Sequence, residues 1–549
     1  MEQQKNSSLE SCQQAIRIAD DATSFRHSNV SQNSKKSFSF YMSISSLWLL
    51  ALITSWDATA LAIALPAITS QLRGTTLQSF WASISFILGA AITQPIYVTV
   101  SDVFGRKQPL YASMLLFTVG SIVFATANSI IALIIGRLIQ GLGAGGLDVL
   151  EEIILADITN LKERPFYLGL ISGAVAIGSI TGPIIGGLFS QFVTWRWIGW
   201  INLPITGTAF LLAFSFLRIR PIPLSLRAKL RRLDWVGILL FIIGATATAL
   251  PLSWAGALYS WSSWRTIVPL VIGLAVLVLF VLYEKRPKDA ILPYRIFSNK
   301  TAIFSLVSGL VHGFILHTLL LYLPLFFQAV YVEAPLEAAK SVLPICFLTI
   351  AFSVAAPIII QVTRRYRVLL WFGWAILTLF MGLTYLIEPS KSPAKTYTFQ
   401  VFLGMGLGIV FTATQVPMQA SVKDVDDTGL AVGMLVCFRL TGALGGLAIC
   451  STAFISVFQR KINSLVPLPE SFSILQDSRH AIELIPIINT LEIPGELLKE
   501  VLGVYHKAFQ AVWIILTTFS FVGLCASLFI EELTLEREEI GRQGFEHDS

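Results

Sequence analysis

Apolar runs of about 20 residues, the length at which a helix crosses a bilayer, recur about fourteen times along the chain. They centre near Asp57, Leu88, Val119, Gly143, Ala176, Phe210, Gly244, Ala275, Ile315, Ile350, Thr378, Gly406, Ala443 and Thr518. Polar loops separate them, and together they take up more than half of the 549 residues. Little chain remains for a soluble domain. The first forty or so residues are polar, rich in Ser and Gln, and lack the apolar core of a cleavable signal. The pattern predicts an all-α integral membrane protein of 14 transmembrane helices. A disordered tail over 1–42 precedes a six-helix bundle over 43–217, two extra helices between basic linkers over 218–300, a second six-helix bundle over 301–530, and a tail over 531–549. Residues 459–509 form an outward segment in which Leu497, Leu498, Val501 and Tyr505 keep helical rhythm. It is expected either as a surface helix or lid on the outer mouth, or as an inert connector.

Composition agrees with that setting. The chain is 54% hydrophobic and 13% charged, with mean hydropathy +0.71, whereas soluble domains carry about 25% charged residues. Basic residues collect in alternate loops: Arg106 and Lys107; Lys162 and Arg164; Arg218 to Arg232; Lys285 to Lys300; and Arg364, Arg365 and Arg367. The bias of cations toward one side predicts that these loops and both termini are cytoplasmic. The net charge of +6 then reflects topology and attraction to membrane lipid, with no nucleic-acid partner. Sequons at Asn6, Asn29 and Asn299 fall on that same side, where they go unused. Cys12 lies in the tail, and Cys346, Cys437, Cys450 and Cys525 lie within spans. No spacing suggests a disulfide or a metal site, and no cofactor is expected.

The most informative stretch runs from Ala127 to Asp157, an apolar segment that nonetheless holds Arg137, Asp148, Glu151 and Glu152. A charge near the bilayer centre costs at least roughly 2.5–3.5 kcal/mol, so it persists only where a protein interior or a water-filled cavity receives it. At about 100° per residue Asp148 returns to nearly the face of Arg137, with Glu151 beside it and Glu152 further round. This predicts that Asp148 or Glu151 carries a proton and that Arg137 holds the unprotonated form; the plainer alternative is a buried clamp between helices. Asp57, central in the first span, is a candidate for proton or substrate coupling, or a tie between spans one and four. Arg439 faces either an anionic substrate or a carboxylate across the cavity, or serves packing. His312 and His317 either titrate or act as interior hydrogen-bonding groups. Gln94, Asn202, Gln328 and Gln415 either orient a substrate in a mostly apolar cavity or bond helices together.

Several motifs carry a resemblance over nearly all of the chain past the tail. Ser101-Asp102-Val-Phe-Gly105-Arg106-Lys107, between spans two and three, resembles the loop signature of the major facilitator superfamily, although Val98 stands where that family usually has glycine. In this loop Gly105 serves a tight turn, Asp102 is expected to cap a helix or pair with a cation, and Arg106 and Lys107 to anchor at the headgroups. Arg137 to Gly146 is similar to the superfamily's fourth-span signature. Gly178, Gly182-Pro183 and Gly186-Gly187 resemble the fifth-span motif of exporters that exchange substrate for protons; glycines four apart clear one helix face for close packing. Trp195-Arg196-Trp197, Ile201-Asn202-Leu203-Pro204, Leu233-Asp234-Trp235-Val-Gly237, Tyr322-Leu-Pro324 and Phe438-Arg439-Leu-Thr-Gly442 resemble segments of the fourteen-spanning drug:proton antiporters, fungal toxin and multidrug efflux members above all.

The resemblance implies two six-helix bundles plus two linker helices. It implies a non-enzymatic, proton-coupled exporter of lipophilic drugs, toxins or secondary metabolites, working as a single chain in the plasma membrane or in a vacuolar or vesicle membrane. A phosphate-binding loop for ATP is missing from the sequence. The competing expectations are a siderophore-iron or basic amino-acid transporter of the same fold, and a non-transporting sensor.

Overall fold

The computed structural model describes residues 36–72, 76–160, 163–220, 225–255, 259–286, 291–292, 294–333, 335–388, 394–422, 427–465 and 495–535. Fourteen helices in it are long and apolar enough to cross a membrane. We number them α1 (Phe38–Leu72), α2 (Thr76–Phe104), α3 (Lys107–Ala125), α4 (Ile130–Ile158), α5 (Arg164–Phe192), α6 (Asn202–Phe216), α7 (Trp235–Trp254), α8 (Trp264–Tyr283), α9 (Lys300–Val330), α10 (Leu343–Thr363), α11 (Arg367–Leu383), α12 (Ala394–Ala413), α13 (Thr428–Ile462) and α14 (Gly495–Leu528). Among the described residues the regular structure is helical apart from isolated bridges, at Ile219 and between Ala255 and Tyr259. That is the physical expectation in hydrocarbon, where each backbone polar group needs a partner within its own segment.

Local chemistry sets several helix ends. The hydroxyl of Ser129 caps α4 by accepting from the Ala132 amide at 3.2 Å, Asp234 caps α7 through Gly237 at 2.9 Å, and Asn299 caps α9 through Thr301 at 2.9 Å. Gly105 turns the chain between α2 and α3 at φ +93°, a conformation few other residues hold.

The two halves, α1–α6 and α9–α14, repeat one packing scheme. In the first, α1 lies along α5 and α2 along α4, with α3 also on α4; in the second, α9 lies along α13 and α10 along α12, with α11 on α12. Across the boundary α5 meets α10, and α13 meets α2 and α4. The expected glycine face is in place: Cβ atoms at Gly178, Gly182 and Gly186 would collide with Leu52, Trp56, Thr59 and Ala60 of α1, while Gly187 has only Ile63 nearby, at 3.6 Å. The extra pair α7–α8 packs on itself and places α7 against both α2 and α13, so it stands along one seam between the halves.

One apolar core is common to both halves, and it lies at the end bearing the basic loops. It joins Val98, Leu150, Ile153 and Ile154 to Met418, Leu430, Met434 and Leu435. The other large clusters stay within one half, residues 60–198 or 311–535.

Of the segment 459–509, expected as a surface helix or lid or as an inert connector, residues 466–494 lie outside the described residues, and Leu497, Leu498, Val501 and Tyr505 belong to the first turns of α14. Helices of 34 and 35 residues reach about 50 Å, well beyond a hydrocarbon core of about 30 Å. Their extensions pair through Tyr505 against Phe458 at 4.8 Å and Phe509 against Phe454 at 5.0 Å between ring centres. The expected tail over 1–42 ends sooner, since α1 begins at Phe38; Asn6, Asn29 and Cys12, with Lys162 and Lys288, fall outside the described residues.

Candidate functional site

Helix α4 is a polar spine with three stations. Arg137 and Asp148 do share a face, but eleven residues separate them along the axis by about 16 Å, too far for a side chain to bridge. The expected partnership of Arg137 with Asp148 or Glu151 is therefore absent, and Arg137, Asp148 and Glu152 each pair with a group on another helix.

At the first station the Arg137 guanidinium pairs with Asp57 of α1. Gln140, one turn further along α4, accepts from Arg137 at 2.8 Å and donates to Asp57 and to Ser121, both at 2.9 Å. Asn202 of α6 donates to Asp57 at 2.8 Å and to Ser121 at 3.2 Å. All five residues are buried. The guanidinium carbon lies 4.1 Å from the centre of the Phe86 ring, so an aromatic face covers the charge on the side the carboxylate leaves open. This network ties α1, α3, α4 and α6 together.

The second station lies at the boundary between the halves. Gln94 of α2 donates to Asp148 at 2.5 Å, and Asp148 is only half-buried. Gln415, in a short helix Gln415–Ala420 that continues α12, donates to both oxygens of Glu152 at 3.1 and 3.0 Å. Arg439 of α13 stands 3.8 Å from Glu152, donates to the Phe411 carbonyl at 3.1 Å, and lies 4.1 Å over the Phe411 ring. Glu151 is 1% exposed, and its Oε2 has no hydrogen-bond partner. The Arg439 guanidinium thus faces Glu152, with Asp148 and Glu151 on the same stretch of α4. On α9, His312 Nε2 meets the Leu407 carbonyl at 3.1 Å and His317 Nδ1 the Gly313 carbonyl at 3.2 Å. A carbonyl only accepts, so both rings donate there and present their other nitrogen as an acceptor.

The third station is at the basic end. Arg106 is 3% exposed; it donates to Asp157 at 2.7 Å and to Ser101 at 2.8 Å, with Asp102 at 3.6 Å. It is an interior tie and not the headgroup anchor expected of it, because Asp157 at the end of α4 provides a carboxylate inside the protein. Lys107, the first residue of α3, is half-buried. Arg164 is also interior: it donates to the Ala156 and Thr159 carbonyls at 2.6 and 2.8 Å and, across the boundary, to Gln419 at 3.2 Å. Burial lowers its pKa to about 10.

Of the residues singled out by sequence, Asp57, Arg137 and Asn202 meet at the first station, and Gln94, Asp148, Glu152, Gln415 and Arg439 meet at the second. Gln328 does not join them: it lies two residues from the end of α9, about 16 Å along the axis from His317. Sequence reasoning passed over Gln140, Ser121, Phe86, Asp157, Gln419 and Phe411. Gln140 had a signal, its spacing of three from Arg137. The others act through contacts distant in sequence, which no local spacing reports.

The model of the Major Facilitator Superfamily matches residues 47–446. The chain belongs to this superfamily. Its relatives include the MFS-type transporter sphD of Aspergillus fumigatus, 44% identical over 94% of this chain and 90% of that one. Another is the efflux pump FUS6 of Gibberella moniliformis, 33% identical over 92% and 91%. Among solved structures, the human organic anion transporter MFSD10 superposes with a TM-score of 0.58 at 14% identity, over 90% of this chain and 100% of that one. The proton:xylose symporter XylE gives 0.54 at 14%, over 90% and 98%. At that identity the likeness speaks for the fold: two six-helix bundles, here with two extra helices between them. The superfamily's members are transporters, so this is a multi-pass membrane transporter and not an enzyme.

Proposed function

We propose that this chain is a proton-coupled exporter of lipophilic toxins or secondary metabolites, working by alternating access between its two six-helix halves. The observation that carries the reading is the second station. A protein interior does not keep two uncompensated negative charges. Asp148, Glu151 and Glu152, with the Arg439 guanidinium 3.8 Å from Glu152, stand at the boundary where the halves must part and therefore form a group suited to taking up and giving off protons as the boundary opens. Asp148 and Glu151 are the proposed proton carriers. Glu152 is the link to the second half, through Gln415 and Arg439. Asp57 and Arg137 hold the first half rigid while this happens, a positioning role.

The direction of transport rests on two supports. The distribution of Lys and Arg argues that the basic face and both termini are cytoplasmic, so the core shared by the halves closes the cytoplasmic side in this conformation. Relatives that carry the name efflux pump, and come from fungi, argue for outward movement of small lipophilic products, across the plasma membrane.

The test is a flux assay with purified protein in vesicles containing a pH-sensitive dye, under an imposed proton gradient, with a panel of lipophilic toxins and antifungals. The expected result is proton movement that depends on particular compounds and is lost in Asp148→Asn or Glu151→Gln. Retention of proton-driven flux in both variants sinks the assignment of carriers. Silence over the whole panel, in folded protein, turns the reading toward siderophore or amino-acid substrates.

A further inference from the structure

A second pair of carboxyl groups lies away from the central station, at the basic end of the α7–α8 hairpin. Asp234 caps α7 with one oxygen, which accepts from the Gly237 amide at 2.9 Å and from the Tyr283 hydroxyl at 3.1 Å. Glu284 follows α8, and its Oε2 accepts from the Leu292 amide at 2.9 Å. The remaining oxygens, Asp234 Oδ2 and Glu284 Oε1, are buried with no hydrogen-bond partner, in side chains 8% and 2% exposed. They converge: a Cβ placed on Gly237 would lie within 3.0 Å of both, so the two oxygens face each other across less than twice that distance. A glycine at 237 is what leaves that space open.

We propose that Asp234 and Glu284 form a proton-binding site, one proton held between the two carboxyl groups, that fastens the basic end of the α7–α8 hairpin. With the proton present, the pair is a carboxylic acid donating to a carboxylate, which satisfies both orphan oxygens. Without it, two like charges are buried face to face and the hairpin end is forced apart.

The groups around the pair fit this. Tyr283 donates to Asp234; Lys285 and Arg286 are exposed, Lys285 lying 5.6 Å over the Tyr294 ring and Arg286 close enough to Tyr283 to act on its charge. Lys229, on the preceding short helix Leu226–Arg232 that also carries Arg231 and Arg232, is spent on the Phe104 carbonyl at 3.1 Å. The neighbouring face of α2 contributes Ile96, which is apolar. Burial and the nearby Asp234 push the Glu284 carboxyl up to about 7. The sign follows: a carboxyl raised from 4.5 contributes a hold that is complete below about 4.5 and lost as pH rises through about 7. The position gives the hold a consequence. Helix α7 touches α2 of one half and α13 of the other; next to the pair Ile238 packs against Ile96 of α2, whereas Trp254 against Trp81 and Ala255 against Thr452 hold the far end, about 30 Å away. A hairpin loosened at its base therefore loosens its hold on α2 at the basic end, whether or not the central station moves protons.

The test is hydrogen exchange of the full-length protein in lipid nanodiscs from pH 5.5 to 8.5, corrected for intrinsic exchange and read at the amides of Val236–Leu240 and Tyr283–Arg286. Wild type is expected to lose protection in this stretch by up to roughly tenfold per pH unit as pH rises to about 7, and to level off above it, with α1–α6 unchanged. Glu284→Gln, which keeps a donor without a titrating proton, and Asp234→Asn, which keeps the helix cap, are both expected to flatten that response. A flat wild-type profile overturns the proposal, as does an unaltered profile in both variants. Protection that follows sodium or potassium concentration at fixed pH also overturns it, by assigning the site to a metal cation.

Discussion

Val98 of α2 and Gly433 of α13 fit as knob and socket across the boundary between the halves, where a Cβ on Gly433 would lie 2.5 Å from Val98 Cγ2. The absence of a side chain at Gly433 is what leaves room for the valine. Gly433→Ala is therefore expected to weaken the closed basic end, and Val98→Ala in the same chain to restore it. Cys437, one turn further along α13 and 6% exposed within the shared core, reports on this. Its labelling by a thiol reagent should rise several-fold in the single variant and return in the double. The two sites should couple by about 0.5–3 kcal/mol, and independent effects would contradict the knob-and-socket contact.

Asp57 and Arg137 are 0% and 1% exposed in their side chains. Removing one member leaves the other buried and unpaired, a cost of about 3–5 kcal/mol. Asp57→Ala is expected to lower the thermal transition of detergent-solubilised protein markedly. Arg137→Lys should recover little, because one ammonium does not reproduce a guanidinium that serves Asp57 and Gln140 and stands 4.1 Å over the Phe86 ring. A melting curve for Arg137→Lys equal to wild type would show that the planar fork is dispensable.

Gly186 and Gly187 are neighbours in sequence with opposite surroundings. A Cβ on Gly186 collides with the Ala60 backbone of α1, whereas one on Gly187 finds its nearest atom at 3.6 Å. Gly186→Ala is expected to cost about 1–3 kcal/mol through overpacking and to cut transport. Gly187→Ala should melt at or above the wild-type temperature, since alanine favours a helix. Equal effects of the two changes would mean that α5 does not approach α1 on this face.

Arg106 is enclosed, so its substitution is expected to act through the protein and not through lipid. Arg106→Lys and Asp157→Asn should both reduce transport, and native mass spectrometry should find retained anionic lipid unchanged in either. Loss of bound lipid in Arg106→Lys alone would return the residue to the membrane surface.

Hydropathy made the fourteen helices legible, because a spanning helix must be apolar over a length set by the bilayer, and the α5 glycines kept a spacing that only a packed face explains. The partners of buried charges were less accessible. Placing Arg137 and Asp148 on one stripe was sound in angle and failed in axial distance; the carboxylate that Arg137 needed lay 80 positions earlier, on α1. Arg106 read as a surface cation because Asp157 is 51 residues away in sequence and adjacent only in space. Leu497 to Tyr505 had the right period, but period alone does not say whether a helix stops or runs on into the next span.

The α7–α8 hairpin leaves the molecule with unequal edges. Where α2 meets α13, a third element is laid over the join, as a spine holds the leaves of a book. Where α5 meets α10, Gly169 and Gly173 rest directly on Pro357 and Val354. Two halves that repeat one packing scheme are thus joined in two different ways, by a hairpin laid over one seam and by small residues packed directly against the facing helix along the other.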